Sequence, residues 1–435
     1  MPRMGGEHET SALEVREERA ESTDTGRGPH GRRRSGGRVA AATSHRGSGL
    51  IQRPPELFEA VPNFSEGRDQ QLIAELAGAS APGGRLLDVH PDPDHNRVVI
   101  TLAGADPGQL VEHLVARIAV AVDRIDLRRH AGVHPRQGAA DVVPIVPLGS
   151  ATMAAAVRAA RALAERIWLD LRVPVHLYGE ASLRDSQKRL ADVRAGRMPP
   201  DFGTGSHPTA GVISVGARAP LVAYNVVLER ARPAEAAALA RALRESSGGS
   251  TGLQALAFEL GDGRIQLSMN LVRLDVMTPA RALEEVRRRA DEQGISVGPE
   301  EIVGLCPAAA ATRAADGRLL EARLAAAAAA AAGTRLAEAA DAEGRRLAER
   351  LQRESRQLSR LPAVQESLLE ATERALALAR ILRAARVEDE ELQVMLAVAA
   401  GGLLAALSEE TRARHPKRLA LLVGGAPPTN GEPGD

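Results

Sequence analysis

Histidine is the side chain whose type and placement in this chain could do chemistry near neutral pH. Outside the N-terminal stretch the histidines are His90, His95, His113, His130, His134, His176, His207 and His415. Five of them lie in runs rich in Gly, Pro, Asp and Arg. These runs are His90-Pro91-Asp92-Pro93-Asp94-His95-Asn96-Arg97, His130-Ala131-Gly132-Val133-His134-Pro135-Arg136 and Ser206-His207-Pro208-Thr209. An imidazole with its ordinary pKa of about 6.5 can take and return a proton. His134 is the leading candidate for that work. Pro135 stiffens the chain after it, and Arg136 offers a cation for an anionic group. The competing reading leaves His134 bonded to a loop carbonyl, with no part in catalysis.

Other chemistries are weighed against this one. His90, Asp92, Asp94, His95, His130 and His134 are metal-ligand types. Their spacing lacks an ordered pair such as His-Glu-x-x-His on one helix, and alternating prolines splay the neighbouring side chains. No metal is expected, and Asp92 and Asp94 read as turn acceptors instead. The run Asp201-Phe202-Gly203-Thr204-Gly205-Ser206-His207-Pro208-Thr209-Ala210-Gly211 could let a ligand approach its backbone. It is neither a Walker loop nor a dinucleotide fingerprint, and a plain linker fits it as well. Cys306 follows an apolar run and reads as a packed thiol rather than a nucleophile. Asn63-Phe64-Ser65 matches a glycosylation sequon, but no secretory signal accompanies it.

These residues need a scaffold, and the composition supplies one. The chain has 435 residues, of which 44% are hydrophobic, so a packed core is available. Fifty-six basic side chains balance 56 acidic ones. That balance argues against nucleic acid or an anionic membrane as the main partner. Aromatic residues make up 2%, too few for base-stacking platforms, and the single cysteine excludes an internal disulfide. The longest apolar run besides polyalanine, Val394 to Leu407, falls short of the roughly 20 residues a spanning helix needs. A cytoplasmic location is expected.

Periodicity predicts strands at 57–62, 85–90, 97–102 and 142–148, with helices at 69–79 and 108–125. This is the β-α-β-β-α-β order of a ferredoxin-like unit. It recurs as strands at 221–228, 253–260, 265–271 and 302–305 with helices at 233–246 and 278–293. Thr278 is placed to cap the last helix and Pro279 to open it. A helix at 152–171, a strand at 173–178, a short helix and the glycine-rich loop lie between the units. The expected fold is α+β: two ferredoxin-like subdomains forming a cleft, followed by a C-terminal helical segment. The expected boundaries are a disordered extension at 1–55, subdomains at 56–218 and 219–335, a helical appendage at 336–423 and a loose tail at 424–435.

Several ordered motifs together resemble glutamate formimidoyltransferase, the transferase part of formimidoyltransferase-cyclodeaminase. They are Val61-Pro62-Asn63-Phe64-Ser65-Glu66-Gly67-Arg68, Leu87-Asp88-Val89-His90, Asp94-His95-Asn96-Arg97, the stretch Gly132 to Pro144, Tyr178-Gly179-Glu180-Ala181 and Asp201-Phe202-Gly203. The resemblance runs from about Phe58 to Pro307. It implies two ferredoxin-like subdomains in a homodimer. It also implies transfer of a formimino group from N-formimino-L-glutamate to N5 of tetrahydrofolate, in histidine degradation. The family's catalytic histidine falls on His134. Its substrate and folate contacts fall on His90, Asn96, Arg97 and Arg136, and on Gly203, Thr204, Gly205, Ser206, His207, Pro208, Thr209, Ala210 and Gly211. Arg97, Arg128, Arg129 and Arg136 are candidate partners for substrate carboxylates. The chain departs from the animal enzymes in carrying His90 where they have an acid, and in a glycine loop one residue shorter. It also lacks a cyclodeaminase's Pro-Gly-Gly-Gly-Ser stretch, so no cyclodeaminase activity is expected, and 336–423 reads as a degenerate remnant or an oligomerisation segment. Two alternatives stay open. One is folate-dependent formyl transfer or 5-formyltetrahydrofolate cyclisation in the same cleft. The other is a non-catalytic folate-binding or scaffold protein.

Overall fold

A computed structural model describes residues 55–79, 84–196, 198–315, 318–332, 365–366, 368–373, 375–376, 390–416 and 418–419. The expectations for 1–54 and 424–435, and for most of 336–389, fall outside the described residues.

The first subdomain is built on strands β1 (Glu56–Ala60), β2 (Asn63–Phe64), β3 (Arg85–Asp92), β4 (Arg97–Gly104), β5 (Ala140–Gly149), β6 (Val175–Gly179) and β7 (Ile213–Ala217). β1 and β2 run in one line between β4 and β5, and β3 pairs with the far side of β4. That is the antiparallel ferredoxin-like order expected. The predicted strand at 57–62 is interrupted at Val61-Pro62. The proline has no N–H to give to a ladder, and Asn63 Nδ2 bonds the Val61 carbonyl at 2.8 Å instead. β7 and β6 extend the sheet as parallel partners of β5. The sequence pattern places β6 but misses β7.

Helices α1 (Gln70–Gly78), α2 (Pro107–Arg124) and α3 (Met153–Arg166) cover one face of this sheet. Each has a side-chain cap where the sequence offers one: Asp69, Asp106 and Thr152 accept from first-turn N–H groups. The helix predicted at 152–171 turns into a π-helix at Ile167–Leu171 and stops at Arg172, which is left-handed. On β4, Val98, Ile100 and Leu102 face the helices. By the period of two, Arg97, Val99, Thr101 and Ala103 face the other way.

The second subdomain repeats the plan. α4 (Leu190–Arg194) lies earlier, between β6 and β7; β8 (Val222–Glu229), β9 (Leu253–Glu259), β10 (Ile265–Leu271) and β11 (Ser296–Val303) form an antiparallel sheet in the order β11-β8-β10-β9, backed by α5 (Pro233–Leu243) and α6 (Pro279–Asp291). Thr278 caps α6 and Pro279 opens it, as the sequence pattern predicts. β11 begins well before the predicted 302–305. Leu253, Ala255, Leu267, Met269, Tyr224 and Val226 point into the helical core. Gln254, Phe258, Gln266, Ser268, Asn225 and Glu301 alternate with the core-facing set and lie on the opposite face.

The C-terminal helices are packed rather than pendant. α7 (Leu320–Ala332) and α8 (Glu390–Ala405) cover Leu57, Leu87, Val146 and Leu148 of the first sheet. Ala400, Leu403 and Leu407 join the core of the second subdomain. α9 (Glu409–Arg414) follows, with Ser408 capping it. Among the described residues no helix is long and apolar enough to cross a membrane.

Glu321, at the start of α7, is buried, and its Oε2 accepts from the Ala308 N–H at 2.8 Å. Burial, with help from Glu59, pushes its pKa up to about 7. Between the ordinary carboxyl value and 7 the folded chain holds a proton that the unfolded chain has released. This contribution is complete below the unfolded value and is lost as pH rises through 7. Glu321→Gln is therefore expected to stabilise the fold at pH 8, by up to about 3 kcal/mol, with no gain near pH 4. Urea melts at both pH values check this; an equal shift at both would refute it.

Candidate active site

The turn from β3 to β4 and the long loop before β5 meet on the sheet face that the helices leave open. Asn96 makes that meeting possible. It is left-handed at φ 47°, a conformation asparagine tolerates. Its Oδ1 accepts from the Gly67 N–H at 2.9 Å and its Nδ2 donates to the Ala131 carbonyl at 3.0 Å. Gly67 must be glycine for the same packing: a Cβ there would lie 2.2 Å from the Asp92 carbonyl oxygen and 2.5 Å from the Arg97 nitrogen.

Arg97 opens β4 and reaches His134. Its Nη1 lies 2.9 Å from His134 Nε2, and its Nη2 donates to Asn63 Oδ1 at 2.5 Å. His134 Nδ1 stands 2.7 Å from the Pro135 carbonyl. A carbonyl only accepts and a guanidinium only donates. The ring is thus neutral, with its proton on Nδ1 and its Nε2 lone pair under Arg97. Burial first, then the charges of Arg97 and Arg194, hold the His134 pKa down to about 2. Burial also lowers Arg97 to about 10, which leaves it cationic at neutral pH. Its Nε is buried and has no hydrogen-bond partner among the described residues. The nearby Asp141 carboxylate is already engaged by Arg194 and by the Gln137 N–H at 2.7 Å.

Arg136 is spent on the loop itself. Its Nη2 donates to the carbonyls of His134 at 2.8 Å and His95 at 3.1 Å, and its Nη1 lies 2.9 Å from His130 Nε2. Arg128 pairs with Asp126 and Arg129 is largely exposed. Of the four candidate arginines, Arg97 is the one in contact with the His134 ring.

The glycine loop joins this assembly through its second half. Leu127 N–H donates to the Thr209 carbonyl at 2.9 Å, Ala139 N–H to Ala210 at 2.9 Å, and Val212 N–H to Gln137 at 2.8 Å. Gly211 has φ 72°, and a Cβ would lie 2.0 Å from the Gln137 carbonyl oxygen. His207 Nδ1 accepts from the Ala210 N–H at 3.0 Å, which orders the bend through Pro208. Gly203 packs over Trp168, while Thr204, Gly205 and Ser206 form an exposed tip.

The second subdomain closes the site from across the cleft. Phe258 of β9 stands 5.6 Å from the His134 ring and 5.4 Å from His95, centroid to centroid. Gln266 of β10 approaches His95, and Glu301 of β11 lies 3.2 Å from His90 Nε2. His90 therefore faces the partner sheet rather than His134. Among the described residues no group of three His, Cys, Asp or Glu could hold a metal ion. An apolar cavity between β5, α7 and α8, lined by Leu148, Leu324 and Val398, includes none of these polar side chains.

The family described as formiminotransferase domain, N-terminal subdomain, matches residues 57–218, and the formiminotransferase domain matches 223–326. A glutamate formimidoyltransferase of Streptococcus pyogenes serotype M1 is 39% identical over 271 residues, spanning 59% of this chain and 90% of the relative. The chain belongs to the formiminotransferase family. A glutamate formimidoyltransferase of Thermoplasma acidophilum is 40% identical, over 58% of this chain and 88% of its own. The formimidoyltransferase-cyclodeaminase of Rattus norvegicus is 36% identical, over 58% of this chain and 50% of its own.

Asn63, Phe258, Gln266, Glu301 and Arg194 are absent from the residues the sequence singled out as the site. Asn63 stands in a motif that carries the family resemblance and in a sequon, and neither gives it a role in the site. The others carry no local signal, because their places depend on contacts between distant segments.

Proposed function

We propose that this formiminotransferase-family chain is a glutamate formimidoyltransferase, with His134 as its general acid and base. The reaction moves the formimino group of N-formimino-L-glutamate to N5 of tetrahydrofolate. The observation that carries the reading is Arg97: a partly buried cation with an unpartnered buried N–H, in contact with the neutral His134 ring. The donor substrate brings two carboxylates. A carboxylate is the natural partner for such a guanidinium. Once it binds, the positive charge that suppresses His134 is countered, and the ring's basicity rises.

The covalent bookkeeping suits an imidazole. N5 bonds to the amidine carbon and sheds a proton; the glutamate nitrogen takes one as its bond to that carbon breaks. Phe258 and the facing sheets keep water from the amidine. The glycine loop from Gly203 to Gly211 and the turn holding His90 and Asn96 are the proposed folate contacts, with Arg97 of that turn kept for the donor carboxylate. A homodimer in the cytoplasm is the proposed setting. Spectrophotometric detection of 5-formiminotetrahydrofolate, with purified protein, tetrahydrofolate and N-formimino-L-glutamate, tests the function. Turnover of a formyl donor alone would point instead to the formyl-transfer alternative.

A further inference from the structure

With Arg97 seated on His134, the cleft holds a second imidazole whose lone pair meets no cation among the described residues. His95 ends the turn between β3 and β4 and is 6% exposed. Asp92 holds it twice. Oδ1 accepts the His95 backbone N–H at 2.8 Å, and Oδ2 stands 3.2 Å from Nδ1. A carboxylate at Nδ1 keeps the proton on that nitrogen and leaves Nε2 as the acceptor. In front of Nε2 is a neutral amide, Gln266 Nε2, at 3.4 Å. That is longer than an ordinary N–H hydrogen bond, and the same amide also donates to Ser268 Oγ at 2.8 Å. The His95 and His134 rings lie 5.7 Å apart, and Phe258 closes against both. Two imidazoles thus share one wall of the cleft. One has a guanidinium on its lone pair; the other has a carboxylate behind it and only a loose amide ahead.

We propose that His95, oriented by Asp92, is a second proton-transfer residue of this site. The proposal rests on the transferase reading above. As N5 of tetrahydrofolate bonds to the amidine carbon, its proton passes to His134 Nε2 and on to His95 Nε2. As the bond from that carbon to the glutamate nitrogen breaks, the proton passes from the ring to that nitrogen. One proton enters the ring and one leaves in each turnover, and no oxidant or reductant is needed.

The charged and titratable groups facing His95 are Asp92 and Asp94 from its own turn, Arg97 on β4, Glu301 on β11 and His134 from the loop before β5. Burial and Arg97 disfavour its imidazolium, and the three carboxylates oppose them.

The test compares wild type, His95→Gln and Asp92→Asn across a pH range with both substrates. His95→Gln is expected to lower kcat about 10²-fold with the KM for folate little changed. Asp92→Asn is expected to lower kcat about tenfold and to move the acid limb of the pH profile downward, because the imidazolium loses its anionic partner. A His95→Gln kcat within about threefold of wild type overturns the proposal. So does an unmoved acid limb in Asp92→Asn, or loss of folate binding by both variants. The imidazole ¹⁵N shifts of the wild type give a readout independent of turnover: a proton on His95 Nδ1 supports the orientation, and a proton on Nε2 overturns it. A wild type that makes no 5-formiminotetrahydrofolate sinks the transferase reading and this proposal together. Transfer by wild type and His95→Gln alike sinks this proposal alone.

Discussion

Replacing His134 by alanine is expected to lower kcat by about 10²–10⁴-fold while leaving tetrahydrofolate binding in place. The ring is the group that Arg97 and Phe258 both touch, and it lies half-buried between the two sheets. Its Nδ1 proton is fixed by the Pro135 carbonyl, so Nε2 is the nitrogen that can exchange a proton with substrate. Alanine removes that nitrogen without disturbing the clamp around it. Asn96 still bonds Gly67 and Ala131, and Arg136 still bonds the backbone carbonyls of residues 95 and 134. The variant should therefore keep its fold and its folate contacts. Single-turnover kinetics and fluorescence titration with tetrahydrofolate separate the two effects. A variant that turns over at the wild-type rate removes His134 from the chemistry.

The residues that meet in this site differ in how far the sequence betrays them. His134, Arg97 and Asn96 sit in short runs with prolines, glycines and acids, where turn chemistry is local and readable. The two ferredoxin-like units were legible for a similar reason: amphipathic helices and alternating strands repeat within short windows. β7 was not: Ile213, Val215 and Ala217 do alternate, but five residues after a glycine-rich loop give only a short window for the pattern. Gly216 is small there because the Tyr178 ring lies against it; a Cβ would come within 2.5 Å of the ring. The place of Arg136 beside His134 in the sequence suggests a substrate cation, and the loop bends back so that backbone carbonyls accept from its guanidinium. Gln266 and Glu301 are separated in sequence from the histidines they approach by 171 and 211 residues. Their alternation marks one sheet face as polar. Nothing local says that this face turns toward the other subdomain's open face and not toward solvent.

Arg97 carries the other large effect. Arg97→Met keeps much of the side chain's length and apolar packing but removes the charge. It is expected to lower kcat/KM by about 10²–10³-fold, in keeping with the cost of deleting one partner of a buried charged hydrogen-bonded pair. The loss should fall mainly on the KM for N-formimino-L-glutamate if the guanidinium binds a donor carboxylate. The pH profile gives a second, independent sign. Arg97 is the largest electrostatic contributor, after burial, to the depressed His134 pKa. Without it the imidazolium is less disfavoured, so the His134 pKa should rise in the free enzyme, though burial and Arg194 keep it below the ordinary value. NMR titration of the His134 ring in wild type and Arg97→Met measures this directly. A lower kcat/KM with an unmoved ring would assign Arg97 to binding and deny it any influence on the base. An unchanged kcat/KM would leave the buried, unpartnered Nε without a role in substrate recognition, and with it the observation on which the functional reading rests.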